Sequence, residues 1–271
     1  MPKQYYFHNF YHLGDNVFNM IFFKIIKAHI QENNIIIHYY CQPEYIKQAS
    51  EFVDIPNVQI EHIQNKPSHS IELWIDKEMR GLSWTKIYNK NCQLGMSRSF
   101  YDRFFSSFFN NVMENMKIQI KIKTFYYKDN DLRDRYVSIN KRFDNTYRKI
   151  DILILNSQPM SGQFNYNKSE WDEHIKLLNR HYKVMTTTKV DGIACTMDNH
   201  LSVKDIASIS TRVKIIIAVN SGVVPGLLNK YTLNNVKHVY IFDDRCKFSY
   251  KKFENRDSIK EITVSDINKY L

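Results

Sequence analysis

The 271-residue chain carries only 7 glycines, where average usage of about 7% would put roughly 19. Each glycine is therefore informative, and the phosphate-binding patterns that need several of them are missing. There is no G-x-G-x-x-G and no P-loop, so hydride transfer and NTP hydrolysis have no motif behind them. No G-x-S-x-G is present, which removes the commonest hydrolase signature. The four cysteines, Cys41, Cys92, Cys195 and Cys246, are widely spaced with no C-x-x-C pair. That argues against a zinc site and a disulfide framework, and it fits a reducing, cytoplasmic setting. The ten histidines form no H-E-x-x-H pattern, so no metal or other cofactor is expected. The Met1–Tyr6 segment has no apolar signal core, and no run approaches the roughly 18 apolar residues that span a bilayer. The longest candidate, Val17 to Ile30, is broken by Asn19, Lys24 and Lys27.

What is present is an ordinary globular composition, 43% hydrophobic and 24% charged, enriched in Tyr (18) and Phe (17). The net charge is +10, which makes an anionic partner plausible: nucleic acid, a membrane surface or a phosphorylated small molecule. The basic groups are short and interleaved, as on a solvated face. The aromatics follow amphipathic periods rather than clustering with Arg and Lys, which weighs against a nucleic-acid-binding protein as the alternative reading.

Apolar periodicity alternates between strand and helix. A strand at Tyr5–His8, a turn at Leu13–Asn16 and a helix presenting Phe18, Ile21, Phe22, Ile25 and Ile26 open the chain. A strand at Ile35–Tyr40, a helix at Glu44–Val53, and strands at Val58–Ile63 and Glu72–Ile75 follow. An aromatic helix is expected at Ser97–Met116, burying Phe100, Phe104, Phe105 and Phe108. The spacing of Leu132, Tyr136, Ile139, Phe143 and Tyr147 predicts a helix linking two halves. The alternation then restarts: strand 151–155, helix 169–180, strands 182–186 and 193–196, a helix opened by Ser202 with Asp205 three residues on, strand 214–219, strand 238–242 and a terminal helix from Ser265. Alternation of this kind predicts parallel βαβ units and an α/β fold of two Rossmann-like domains, residues 1–128 and 129–271.

In open parallel sheets, ligands bind beyond the carboxyl ends of the strands. Three loops there contain glycine: Gly14-Asp15-Asn16, Ser161-Gly162-Gln163 and Asn220-Ser221-Gly222. Glycine permits close backbone approach to a ligand, and free amides at a helix start bind phosphate. Glycine at a strand-to-helix turn also serves the turn alone.

The first and third of these loops, with the segment Leu201–Ile209 leading toward the third, resemble the GT-B glycosyltransferases of the heptosyltransferase type. Those enzymes carry a Gly-Asp turn in the first domain and an Asp-Ser/Thr-Gly turn in the second. Asn220 stands where that family has an acidic residue, and Pro225 where a donor-contacting histidine is expected. The resemblance implies two domains facing across a cleft, with an acceptor held mainly by the first and a nucleotide-sugar by the second. It implies inverting, metal-independent transfer to an acceptor hydroxyl. Asp15 would be the general base, with His12 as a competing candidate and Gly14 and Asn16 on the acceptor side. The donor would be held by Ser157, Gln158, Ser161, Gly162, Gln163, Thr187, Thr188, Lys189, Asn220, Ser221 and Gly222. The residues alone also permit a plainer reading, in which Asp15 caps its helix and the serines and threonines cap turns. A scaffold of this fold without activity is the further alternative.

Overall fold

The computed structural model describes residues 1–63, 67–74, 100–118, 127–160, 162, 164–243 and 259–262. Contacts divide the chain into two compact units, Met1–Tyr127 and Lys128–Leu271.

The first unit runs β1 (Lys3–Asn9), α1 (Leu13–Ile25), α2 (Lys27–Glu32), β2 (Ile35–Cys41), α3 (Pro43–Ser50), β3 (Val58–Glu61), β4 (Ile71–Glu72) and α4 (Phe100–Met116). Its four described strands are all parallel, in the order β3-β2-β1-β4. Pro43 opens α3 at a position whose N–H has no helical partner to lose. Helix α1 is buried without interruption from Asp15 to Phe23, so it has apolar contacts on more than one side. Phe23 packs toward the sheet against Phe7 and Tyr39, with ring centroids 6.0 and 6.1 Å away. On the α4 side, Phe22 meets Phe108 at 5.1 Å and Phe18 meets Phe104 at 5.9 Å. The Phe surplus is thus core, each ring contributing about 1.5–3 kcal/mol of burial.

The second unit runs α5 (Asp131–Arg142), a 3-10 turn at Thr146–Lys149, β5 (Ile152–Leu155), α6 (Lys168–Asn179), β6 (Val184–Thr186), β7 (Ala194–Cys195), α7 (Val203–Ser210), β8 (Ile215–Val219), α8 (Val224–Leu227), α9 (Lys230–Asn235), β9 (His238–Phe242) and β10 (Ile259–Ile262). The sheet is parallel throughout, in the order β10-β9-β8-β5-β6-β7. Counted from β5, this is the 3-2-1-4-5-6 order of the dinucleotide-binding α/β fold. Trp171 and Ile175 of α6 pack on Ile152, Ile154, Ile217 and Phe242 at one face of the sheet. Ser202 and Asp205 close a capping box on α7: the Asp205 amide donates to Ser202 Oγ (3.2 Å) and the Ser202 amide to Asp205 Oδ2 (2.9 Å). Arg135 of α5 pairs with Asp205 at 3.0 Å, and buried Lys204 reaches Asp131 at 2.7 Å and Asp129 at 3.3 Å. These pairs lock α5 onto α7.

Three expectations are corrected. The turn expected at Leu13–Asn16 is already helix: α1 starts at Leu13, with His12 as its N-cap residue. The stripe Leu132–Tyr147 is not one helix, because α5 stops at Arg142; Asp144 and Asn145 take left-handed backbone and Tyr147 lies in the 3-10 turn. Leu132, Ile139 and Tyr147 are nevertheless buried together with the core. On α1, Ile25 is only half-buried, while Val17, Met20 and Phe23 are fully buried outside the expected face. The expected helix from Ser265, residues 97–99 and the end of the fourth strand at Ile75 lie outside the described residues.

Candidate functional site

Each sheet reverses its strand order at one point, and the loops leaving the two strands there diverge to open a crevice. In the first unit that point lies between β1 and β4, so its walls are the segments after Asn9 and after Glu72. Asn9 Nδ2 donates to the Leu73 carbonyl (2.8 Å), and its Oδ1 accepts from the Tyr11 amide (3.0 Å). Tyr11 stacks on Trp74 with centroids 4.5 Å apart. Asn19 Nδ2 also donates to the Leu73 carbonyl (3.1 Å) and to Tyr39 Oη (2.8 Å), while the Tyr39 hydroxyl donates to Asn16 Oδ1 (2.7 Å).

Asp15 meets this crevice wall through the Trp74 indole. Asp15 occupies the third position of α1, and its Oδ2 accepts from the His12 amide at 3.2 Å. Asp15 is only 9% exposed. Burial pushes its pKa up to about 6, outweighing the His12 amide hydrogen bond, the nearby His12 ring and the Trp74 indole, which all act in the lowering direction. The N-cap is His12 and not Asp15, whose part in the cap is confined to accepting the His12 amide from the third helical position. That part does not exhaust the residue, since accepting such a bond by itself lowers a carboxyl pKa.

The neighbouring candidates separate. His12 is exposed at the helix start. Asn16 is fully buried and both ends of its carboxamide are used, Nδ2 donating to the His12 carbonyl at 2.9 Å and Oδ1 accepting from Tyr39. Its side chain builds the crevice wall and is not free for an acceptor. Gly14 sits in the first helical turn without left-handed backbone. The stacked pair Tyr11 and Trp74 escaped the sequence reading; a tryptophan two residues after the short strand β4 was the available signal.

In the second unit the reversal lies between β5 and β8. Strand register sets Asn156, Thr187, Asn220 and Asp243 one residue beyond β5, β6, β8 and β9, along one edge. Asn156 Oδ1 accepts from the amides of Thr187 (3.1 Å) and Thr188 (2.9 Å), and the Thr188 hydroxyl donates to the Asn156 carbonyl (3.1 Å). Thr187 Oγ1 accepts from the Asn156 amide (3.2 Å) and lies 3.3 Å from Ser157 Oγ. Thr187 and Thr188 therefore tie the β5 and β6 loops together. Gln158 is exposed, and Gly162 takes left-handed backbone (φ 61°), a conformation glycine adopts without strain. Ser161 and Gln163 lie outside the described residues. Lys189 is 76% exposed and paired with Asp198 at 3.2 Å.

After β8, Asn220 is buried and its Nδ2 donates to Asp243 Oδ2 at 2.6 Å. The end of the neighbouring strand thus places a carboxylate against Asn220. Asp243 was missed because it lies 23 residues away in sequence and only the β8–β9 register makes the two adjacent. Ser221 Oγ is buried without a hydrogen-bond partner, and Gly222 is half-buried beside it. Pro225 is buried in the first turn of α8. Among the described residues no group of three or more His, Cys, Asp or Glu could hold a metal ion, and no helix is long and apolar enough to cross a membrane.

Two parallel sheets, each with one strand-order reversal, define a protein of two Rossmann-like units, the fold of the GT-B structures. Solved structures of that fold superpose on almost the whole chain. A glycosyl transferase family 9 structure from Veillonella parvula matches with a TM-score of 0.54 at 11% identity, covering 98% of this chain and 87% of its own. The E. coli heptosyltransferase WaaC with ADP matches with a TM-score of 0.54 at 9% identity, covering 96% and 90%. E. coli ADP-heptose LPS heptosyltransferase II matches with a TM-score of 0.54 at 10% identity over the same shares. No protein-family model matches the sequence, and a comparison with curated proteins found no match.

Proposed function

We propose that the protein is a glycosyltransferase that moves a sugar from a nucleotide-sugar donor to an acceptor hydroxyl, with inversion at the anomeric carbon and without a metal. The reading rests on Asp15, a buried carboxylate at the first crevice whose pKa of about 6 suits a general base near neutral pH. Asp15 takes the proton of the acceptor hydroxyl as that oxygen bonds the anomeric carbon. The bond from that carbon to the diphosphate breaks, and the nucleoside diphosphate leaves with the electron pair. The Tyr11–Trp74 pair offers a flat apolar surface beside the base for the acceptor.

The donor is assigned to the edge formed by Ser157, Gln158, Gly162, Asn220, Ser221 and Gly222, with Ser161 and Gln163 kept as donor candidates from the sequence alone. The unpartnered hydroxyl of Ser221 and the backbone around Gly222 are donors for the diphosphate, whose growing charge they stabilise. Asp243, reaching Asn220, orders that loop. Thr187 and Thr188 position the loops, and Lys189 adds charge at the rim. Two of the structurally similar proteins are described with ADP or ADP-heptose, so ADP-sugars are the first donors to try.

The test is calorimetric titration with ADP, UDP, GDP, CMP and their sugar conjugates, with single-stranded RNA as the control ligand. Binding of one nucleotide that is lost on Gly222→Arg and kept on Asp15→Asn, together with donor turnover lost on Asp15→Asn, is the expected result. Absence of nucleotide binding alongside salt-sensitive RNA binding would refute it.

A further inference from the structure

A second concave site lies at the opposite edge of the second sheet. The turn carrying Arg148 leads into β5, and Arg212 lies in the segment leading into β8, so both stand at strand starts rather than strand ends. Together with α5 they enclose a cavity of about 490 Å³, lined by Tyr136, Asn140, Lys141, Arg148 and Arg212 among others. Arg212 is also part of the wall of an adjoining recess of about 180 Å³, which Arg133 and Tyr231 share.

The cations are organised and uncommitted. The Arg212 guanidinium lies 5.6 Å from the Tyr136 ring centroid, and that of Arg133 lies 5.3 Å from the Tyr231 centroid. Stacking of this kind restrains a planar fork while leaving its N–H groups free for an oxyanion. Arg133, Lys141, Arg148 and Arg212 have no carboxylate partner among the described residues, whereas Arg135 and Lys204 on the same pair of helices do. Asn140 is 5% exposed; its Nδ2 donates to the Tyr136 carbonyl at 3.1 Å, and Oδ1 is left as a buried acceptor without a partner. The lining therefore combines a forked cationic rim with an acceptor that lacks a donor, complementary to a molecule bearing both phosphates and hydroxyls. The volume falls within the roughly 300–1,000 Å³ range of small-molecule sites.

We propose that this cavity binds a small polyanion, a polyol or sugar carrying more than one phosphate, either free in solution or as a lipid headgroup. The site is separate from the proposed donor edge and does not depend on it.

The experiment is equilibrium titration of the full chain with inositol hexakisphosphate and with tripolyphosphate. Phosphatidylcholine vesicles carrying cardiolipin, whose glycerol headgroup bears two phosphates, with pure phosphatidylcholine vesicles as control, form the second arm. One-to-one saturable binding of a soluble probe is expected, weakened about tenfold for each guanidinium removed in Arg148→Gln and Arg212→Gln. It should be unchanged in Lys176→Gln, which removes a positive charge from the exposed face of α6, and retained in Gly222→Arg. Arg148 is exposed, so its variant is readable even where Arg212→Gln unfolds. Vesicle binding lost on the same arginine variants assigns the headgroup as the source, and indifference to vesicles assigns the free molecule. Lack of saturation, equal weakening by Lys176→Gln, loss in Gly222→Arg, or vesicle binding with no soluble-probe binding would each overturn the proposal.

Discussion

Replacing Asp15 with asparagine separates what the site costs the fold from what it does. The Asp15 pKa is about 6 in the folded protein against 3.8 for an unperturbed carboxyl. The folded state therefore binds the proton more tightly than the unfolded chain. Stability falls as pH rises between those two values and levels off above the higher one. Integrated over roughly two pH units at about 1.4 kcal/mol each, the burden is about 3 kcal/mol at pH 8, about half that at pH 5, and almost gone near pH 3. The carboxamide oxygen introduced by Asp15→Asn can still accept from the His12 amide, so little else is lost. The variant should be more stable than the parent at pH 8, by up to about 3 kcal/mol, with the gain shrinking by about half at pH 5. Urea unfolding followed by tryptophan fluorescence at pH 5, 6.5 and 8 measures this, and donor turnover measured on the same samples should be lost. A D15N protein less stable than the parent at pH 8, or a difference independent of pH, would show that the carboxyl is not strained by burial and would remove the reason for calling it a base.

Two further outcomes follow from the second unit. Lys204→Met removes the cation between Asp129 and Asp131 and leaves Asp129, itself 5% exposed, buried without it. A loss of about 3 kcal/mol in urea unfolding is expected, and a loss under about 1 kcal/mol would mean that the pair is not a structural lock. Asn156→Ala removes the acceptor for two amides on the β6 loop. It should cost about 1–3 kcal/mol and speed hydrogen exchange at Thr187 and Thr188 specifically, whereas uniform acceleration across the unit would argue for general loosening.

Local signals determined much of this protein. Short apolar runs such as Ile35–Tyr40 and Ile215–Val219 can hardly fold as anything but buried strands, and their alternation with amphipathic segments implies parallel sheets before any coordinate is known. Ser202 and Asp205 announce a helix start through chemistry confined to four residues. The segment after β8 at Asn220 was legible for the same reason, since glycine beside polar residues at a strand end is a short-range pattern, whereas the turn expected at Asp15 is the first turn of α1. Helix ends were less so: the stripe beyond Arg142 keeps its apolar spacing although the backbone turns left-handed at Asp144 and Asn145, because burial can be met by a turn as well as by a helix. Only the tertiary structure decided which polar residues remain available to a ligand. Asn16, Thr187 and Thr188 read as ligand contacts until their hydrogen-bond partners, 23 to 32 residues away, are seen to occupy them. Asp243 and Trp74 read as nothing until strand register and packing bring them to Asn220 and Asp15. The pKa of Asp15 belongs to the same class: burial by distant segments sets it, and no local pattern carries that information.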